Sequence, residues 1–224
     1  FMKKYMFDDK NGGIYWAVTY DGKPLDTTKH TYNQAFAVYA LSSYYDATKD
    51  EEALKTAYKL VDIIENKCSD KGGYLEAFNI NFKPAGNDKL SENGVEAGRT
   101  MNTLLHVFEA YTELYRVDKK SEIGDRLRWM LDIFVEKMYN PTLRRQEVFF
   151  DMEYNTLIDL HSYGHDIETA WLLDRGLEVL EDKAYENKLA PVISTLEENV
   201  YNLAFDGNAL YNECEKGVND TKRI

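Results

Sequence analysis

Residues Tyr32 to Glu76 read YNQAFAVYALSSYYDATKDEEALKTAYKLVDIIENKCSDKGGYLE, and this stretch decides the fold. Phe36, Tyr39, Ala40, Ser43 and Tyr44 fall at helical spacing over Tyr32–Ala47. Leu54, Ala57, Leu60, Val61 and Ile64 do the same over Glu51–Lys67. Asp50 stands where it can cap the second helix, and Glu51-Glu52 lie where the positive end of the helix dipole favours acids. Lys71-Gly72-Gly73-Tyr74-Leu75-Glu76 then breaks the periodicity. The unit is helix, helix, short extended loop.

The unit recurs on both sides. Thr103–Arg116 and Ser121–Met138 form a second pair of apolar-striped segments, and Asp166–Leu180 and Lys188–Leu203 a third. On Asp166–Leu180 the stripe is Ile167, Ala170, Trp171, Leu173 and Leu177. Asn11-Gly12-Gly13-Ile14-Tyr15-Trp16 lies 60 residues ahead of its Gly72-Gly73 counterpart. Phe149-Phe150-Asp151 and Phe205–Tyr211 hold equivalent places later. Each pair exposes an apolar face that its neighbours must cover, which an open stack or a closed ring would both achieve. We read the fold as all-α, an α/α toroid present as an incomplete ring of helical hairpins, with residues 1–224 forming one partial domain. Phe1–Phe7 reads as structured and Gly217–Ile224 as a polar loop without a closing helix. Both ends suggest part of a longer protein. The loop Asn79–Gly98 is long and polar, a type often functional.

The chain has 27 Lys and Arg against 39 Asp and Glu, a net charge of −12. Nucleic acids and anionic membranes call for clustered cations, so neither is an expected partner. No apolar run is long enough to cross a bilayer, and nothing resembles a signal peptide. Cys68 and Cys214 are too few for a disulfide framework and fit a reducing cytosol, so we expect a cytoplasmic protein. Its 17 Tyr, 10 Phe and 3 Trp suit stacking on sugars as well as core packing.

Four histidines are the main candidates for chemistry: His30, His106, His161 and His165. A helix starting at Asp166 would place His165 at its N-terminal boundary, where the dipole favours the neutral ring a general base needs. Glu168 falls on the same side, able to orient the ring or bind a hydroxyl. His106 follows Asn102 by one turn on the same helix face and is either a polar group of the site or a satisfied core histidine. His161 and His165 have the i, i+4 spacing of helical metal ligands, but Gly164 and its polar surroundings read as loop. No metal or cofactor is implied. His30 follows a polar loop and is expected to be exposed.

Two blocks, Met101-Asn102-Thr103-Leu104-Leu105-His106-Val107-Phe108-Glu109-Ala110-Tyr111 and Ser162-Tyr163-Gly164-His165-Asp166-Ile167-Glu168-Thr169-Ala170-Trp171-Leu172-Leu173, resemble hallmark segments of the cellobiose 2-epimerases. These belong to the N-acylglucosamine 2-epimerase superfamily. Tyr32-Asn33-Gln34-Ala35-Phe36 and the two Gly-Gly loops support the resemblance, which runs over essentially the whole chain. It implies an (α/α)6 barrel, of which a little over half is present, and inversion at C2 of the reducing-end glucose of a β-1,4-disaccharide such as cellobiose or lactose. It implies His165 as one acid/base group, with the partner histidine in a C-terminal part absent here. It implies His106 as the group that polarises O1, with Tyr32, Asn102, Glu168 and Trp171 binding substrate. A monomer with no cofactor is expected. Arg99 and Thr100 depart from the usual Lys and Ser. An N-acylglucosamine 2-epimerase, a mannose isomerase, or an inactive carbohydrate-binding chain are the alternatives.

Overall fold

In the computed structural model, which describes residues 1–87, 89 and 94–221, the α-helices are α1 (Met2–Tyr5), α2 (Thr31–Thr48), α3 (Glu51–Lys67), α4 (Met101–Val117), α5 (Ser121–Ile133), α6 (Tyr163–Leu180) and α7 (Lys183–Ala204). A π-helical turn, Phe134–Met138, extends α5. Helices α2/α3, α4/α5 and α6/α7 are three hairpins. Helix α2 packs on α4 and α4 on α6, so these three form an inner row backed by α3, α5 and α7. This is the all-α hairpin arrangement that the repeat predicts.

Two of the hairpin turns use the same chemistry. Lys49 (φ 56°) and Glu181 (φ 57°) end α2 and α6 in the left-handed region, and the following Asp50 and Asp182 cap α3 and α7. Their carboxylates accept from Glu52 N at 3.0 Å and Ala184 N at 3.1 Å. Such a cap contributes about 1 kcal/mol. Helix α4 is the centre of the core: Leu104, Leu105, Phe108, Tyr111 and Leu114 are all buried. Each such side chain stabilises by roughly 1.5–3 kcal/mol on burial. Phe108 meets Phe134 edge-on at 5.9 Å, and on its other side fills the space over Gly176, where a Cβ would collide with the ring.

Short antiparallel ribbons close the open end of each hairpin. Lys29–His30 pairs with Ala77–Phe78, Arg99–Thr100 with Phe149–Phe150, and Leu160–Ser162 with Glu213–Glu215. In each ribbon the first strand runs straight into an inner helix, and the second follows the outer helix of that hairpin. The N-termini of α2, α4 and α6 therefore share one end of the row.

Several local expectations are corrected. Helix α6 begins at Tyr163, so Gly164 is in its first turn rather than a loop. Helix α7 begins at Lys183 because Asp182 caps it. Of the expected stripe on α6, Ala170, Leu173 and Leu177 are buried, but Ile167 and Trp171 are exposed, and Thr169 and Leu172 complete the buried side in their place. The polar run after Gly217 is not simply loop: Val218–Asn219 folds back on Cys214–Glu215. The two Gly-Gly loops differ in backbone. Gly12 and Gly13 are left-handed, whereas Gly72 and Gly73 are not and donate their N–H groups to Asp70 Oδ1. The loop Asn79–Gly98 lies partly outside the described residues.

Candidate active site

The shared end of the inner row is built from helix N-termini, whose first N–H groups need acceptors. Thr31 N donates to the Glu76 carbonyl at 3.0 Å, and Thr31 Oγ1 to the Leu75 carbonyl. Met101 N donates to the Val148 carbonyl at 3.0 Å. Tyr163 N and Gly164 N both donate to the Asn212 carbonyl, at 3.0 and 3.3 Å. Glu76 also serves α4 through its side chain. It accepts from Thr100 N at 2.6 Å, Thr103 Oγ1 at 2.6 Å, Thr100 Oγ1 at 3.2 Å and Asn87 Nδ2 at 3.3 Å. Burial pushes the Glu76 carboxyl up to about 7 against the opposing pull of these donors.

His106 projects from the second turn of α4. Tyr32 meets its ring edge-on at 5.0 Å and Phe36 packs at 4.9 Å, so two side chains of α2 wall the imidazole. Its Nδ1 lies 2.8 Å from Glu109 Oε2. An ionised carboxylate can only accept, so Nδ1 carries the hydrogen of this bond and Nε2 is the nitrogen left for another partner. Asn102, half-buried, lies one turn earlier on α4.

His165 sits in the first turn of α6, half-buried, with Nδ1 2.8 Å from Ser162 Oγ. Burial, and then the nearby His106, hold its pKa below the usual histidine range. Glu168, one turn on, is half-buried; burial and the neighbouring Glu109 raise its carboxyl while His106 opposes them. Burial raises the Tyr32 phenol too, helped by Glu168 and Glu109. Tyr32, His106, Glu109, His165 and Glu168 are thus one electrostatic cluster from three helices. Trp171, 61% exposed, is not in this cluster; it borders an adjoining 310 Å³ cleft with Tyr39, Glu109, Glu113, Arg116 and Arg175.

Two histidines fall elsewhere. His30 is buried, not exposed, because the ribbon with Ala77 draws it under Trp16, with ring centroids 4.7 Å apart. His161 gives Nε2 to Asp166 Oδ2 at 2.8 Å, and Asp166 Oδ1 accepts from Gln146 N at 3.0 Å. That pair braces the start of α6. Sequence reasoning assigned no role to Glu109, Ser162 or Glu76. The spacing of Glu109 from His106, i and i+3 on one helix, was a usable signal.

The N-acylglucosamine 2-epimerase (GlcNAc 2-epimerase) family profile matches residues 1–208. The chain belongs to that family. A curated cellobiose 2-epimerase from Eubacterium cellulosolvens is 50% identical over 240 residues, covering 100% of this chain and 59% of that protein. Among solved structures, a sugar epimerase from a ruminal bacterium is 44% identical with a TM-score of 0.95, covering 98% of this chain and 56% of the other. The cellobiose 2-epimerase of Bacillus thermoamylovorans is 40% identical with a TM-score of 0.91, over 98% and 57% of the two chains. This member of the N-acylglucosamine 2-epimerase family therefore spans a little under three fifths of the relatives it matches.

Proposed function

We propose that the full-length polypeptide carrying this sequence epimerises C2 of the reducing-end glucose of cellobiose-type β-1,4-disaccharides to the mannose form. The observation that carries this reading is the convergence of His106 and His165, each with a hydrogen-bond partner on Nδ1, beside Tyr32 and Glu168. The similarity to cellobiose 2-epimerases supports the choice of substrate.

The chemistry follows from acidity. The C2 proton becomes removable once the sugar ring opens, because the C1 aldehyde then delocalises the charge as an enediolate. His165 takes the proton, a task suited to a ring held neutral near pH 7. His106 hydrogen-bonds O1, where charge develops, so its contribution is greater in the transition state than in the ground state. Tyr32 and Asn102 line the sugar, Glu168 accepts from a hydroxyl, and Trp171 packs on a sugar ring of the longer substrate. Inversion needs proton return to the opposite face, a role the family resemblance gives to a histidine outside this chain. The same reading makes the whole protein a cytoplasmic monomer with one partial barrel domain over residues 1–224. No described helix is long and apolar enough to cross a membrane.

The test incubates the full-length polypeptide with cellobiose, lactose, N-acetylglucosamine or mannose and identifies products by proton NMR. The expected result is glucosyl-mannose from cellobiose and galactosyl-mannose from lactose. Turnover of N-acetylglucosamine or mannose, with both disaccharides untouched, would overturn the proposed substrate.

A further inference from the structure

A serine at a helix N-cap ordinarily directs its hydroxyl to the backbone N–H two or three residues on. Ser162 does not. It enters α6 in extended backbone (φ −88°, ψ 99°), is buried, and makes no side-chain capping bond. The Asn212 carbonyl accepts from both Tyr163 N and Gly164 N in its place. Released from capping, the Ser162 hydroxyl lies 2.8 Å from Nδ1 of His165.

We propose that Ser162 is a positioning residue for His165: its oxygen accepts from Nδ1–H and holds the ring in the tautomer whose Nε2 bears the lone pair. In that tautomer Nε2 faces the reaction as a base. When the C2–H bond breaks, the proton forms a new Nε2–H bond and the electron pair stays in the enediolate. Nδ1 carries a hydrogen before and after, so the bond to Ser162 persists through the step. The alternative, with Ser162 donating to Nδ1, would put the hydrogen on Nε2 and leave nothing to accept the C2 proton.

The comparison with His106 supports this assignment. Both rings have an acceptor at Nδ1, but Glu109 is an anion and Ser162 is neutral. A carboxylate makes the stronger, charge-assisted bond to its ring, whereas a hydroxyl orients the ring through a weaker neutral one. The two partners thus suit the two proposed roles, a group that stabilises negative charge and a group that takes and releases a proton.

The proposal rests on reading His165 as the C2 base, but its decisive test does not. In the full-length polypeptide labelled with 15N-histidine, the ring nitrogen shifts of His165 report the tautomer at a pH where the ring is neutral. The expected result is a protonated Nδ1 and a bare Nε2 in the wild type, a mixture in Ser162→Ala, and recovery in Ser162→Thr, which keeps the hydroxyl. A bare Nδ1 in the wild type overturns the proposal, whether or not any sugar is turned over. With cellobiose, Ser162→Ala should lower kcat about five- to ten-fold, the loss of one orienting hydrogen bond. KM should be unchanged and Ser162→Thr should restore turnover. Unchanged kcat in Ser162→Ala, or equal loss in Ala and Thr, also overturns it. If the tautomer is as stated but no sugar reacts, the functional reading fails and the positioning role stands.

Discussion

Replacing Glu76 with Gln should remove a pH dependence of stability that the wild type carries. Glu76 is buried, and its main chain and side chain join the starts of α2 and α4. Desolvation exceeds the donors around it, so its folded pKa is about 7 against an ordinary 4.5. Below pH 4.5 the carboxyl is protonated in both folded and unfolded chains, and the site imposes no charge penalty. Between pH 4.5 and about 7 the unfolded chain releases its proton while the folded chain keeps it, so stability falls as pH rises. The full loss above that window is about 3 kcal/mol. Gln cannot titrate. Urea unfolding of wild type and Glu76→Gln across this range should show the wild type losing about 3 kcal/mol relative to the variant. Subtracting the two curves cancels the other carboxylates. A constant difference, or a wild type that gains on the variant as pH rises, would refute the claim that desolvation wins over the Thr100 and Thr103 donors.

Replacing His165 with Asn should lower kcat for cellobiose roughly 100- to 10,000-fold, about 3 to 5 kcal/mol of barrier, in steady-state assays of the full-length polypeptide. Retention of more than about a tenth of wild-type turnover would contradict its role as the base. In the same assays Glu168→Gln should cost less than His165→Asn, because an amide still hydrogen-bonds, and His106→Asn should depress kcat more than it raises KM. Gly176→Ala puts a Cβ into the Phe108 ring, and calorimetry or urea unfolding should show a net loss of about 1–2 kcal/mol despite alanine's better helix propensity.

The hairpin architecture was legible because it rests on local signals. Leu60, Val61 and Ile64 recur at helical spacing, and Asp50 stands where a cap is needed. The buried ends of the hairpins were less legible. His30 looked exposed because it follows a polar loop, yet its cover comes from Trp16 and from a strand partner nearly 50 residues on, which no local window contains. Gly164 looked like a loop residue because glycine is a poor helix former, but a first turn whose N–H groups are accepted by Asn212 tolerates it. His106 and His165 stood out by residue type and by the family blocks around them. Their partners did not: Glu109 was one acid among 39, and Ser162 lay in a stretch read as loop, ahead of a helix expected to start at Asp166. Glu76 reads as the polar end of a Gly-Gly-Tyr loop, and only the fold brings Thr100 and Thr103 to it.

The central claim, that His165 exchanges the C2 proton, is tested most directly by epimerising cellobiose in heavy water with the full-length polypeptide and reading C2 of the product by NMR. Removal of the C2 proton by His165, followed by return of a solvent-derived deuteron to the opposite face, places deuterium at C2 of the glucosyl-mannose, and His165→Asn slows that incorporation roughly 100- to 10,000-fold. Product that forms while retaining protium at C2, or incorporation in His165→Asn at more than about a tenth of the wild-type rate, would contradict the account.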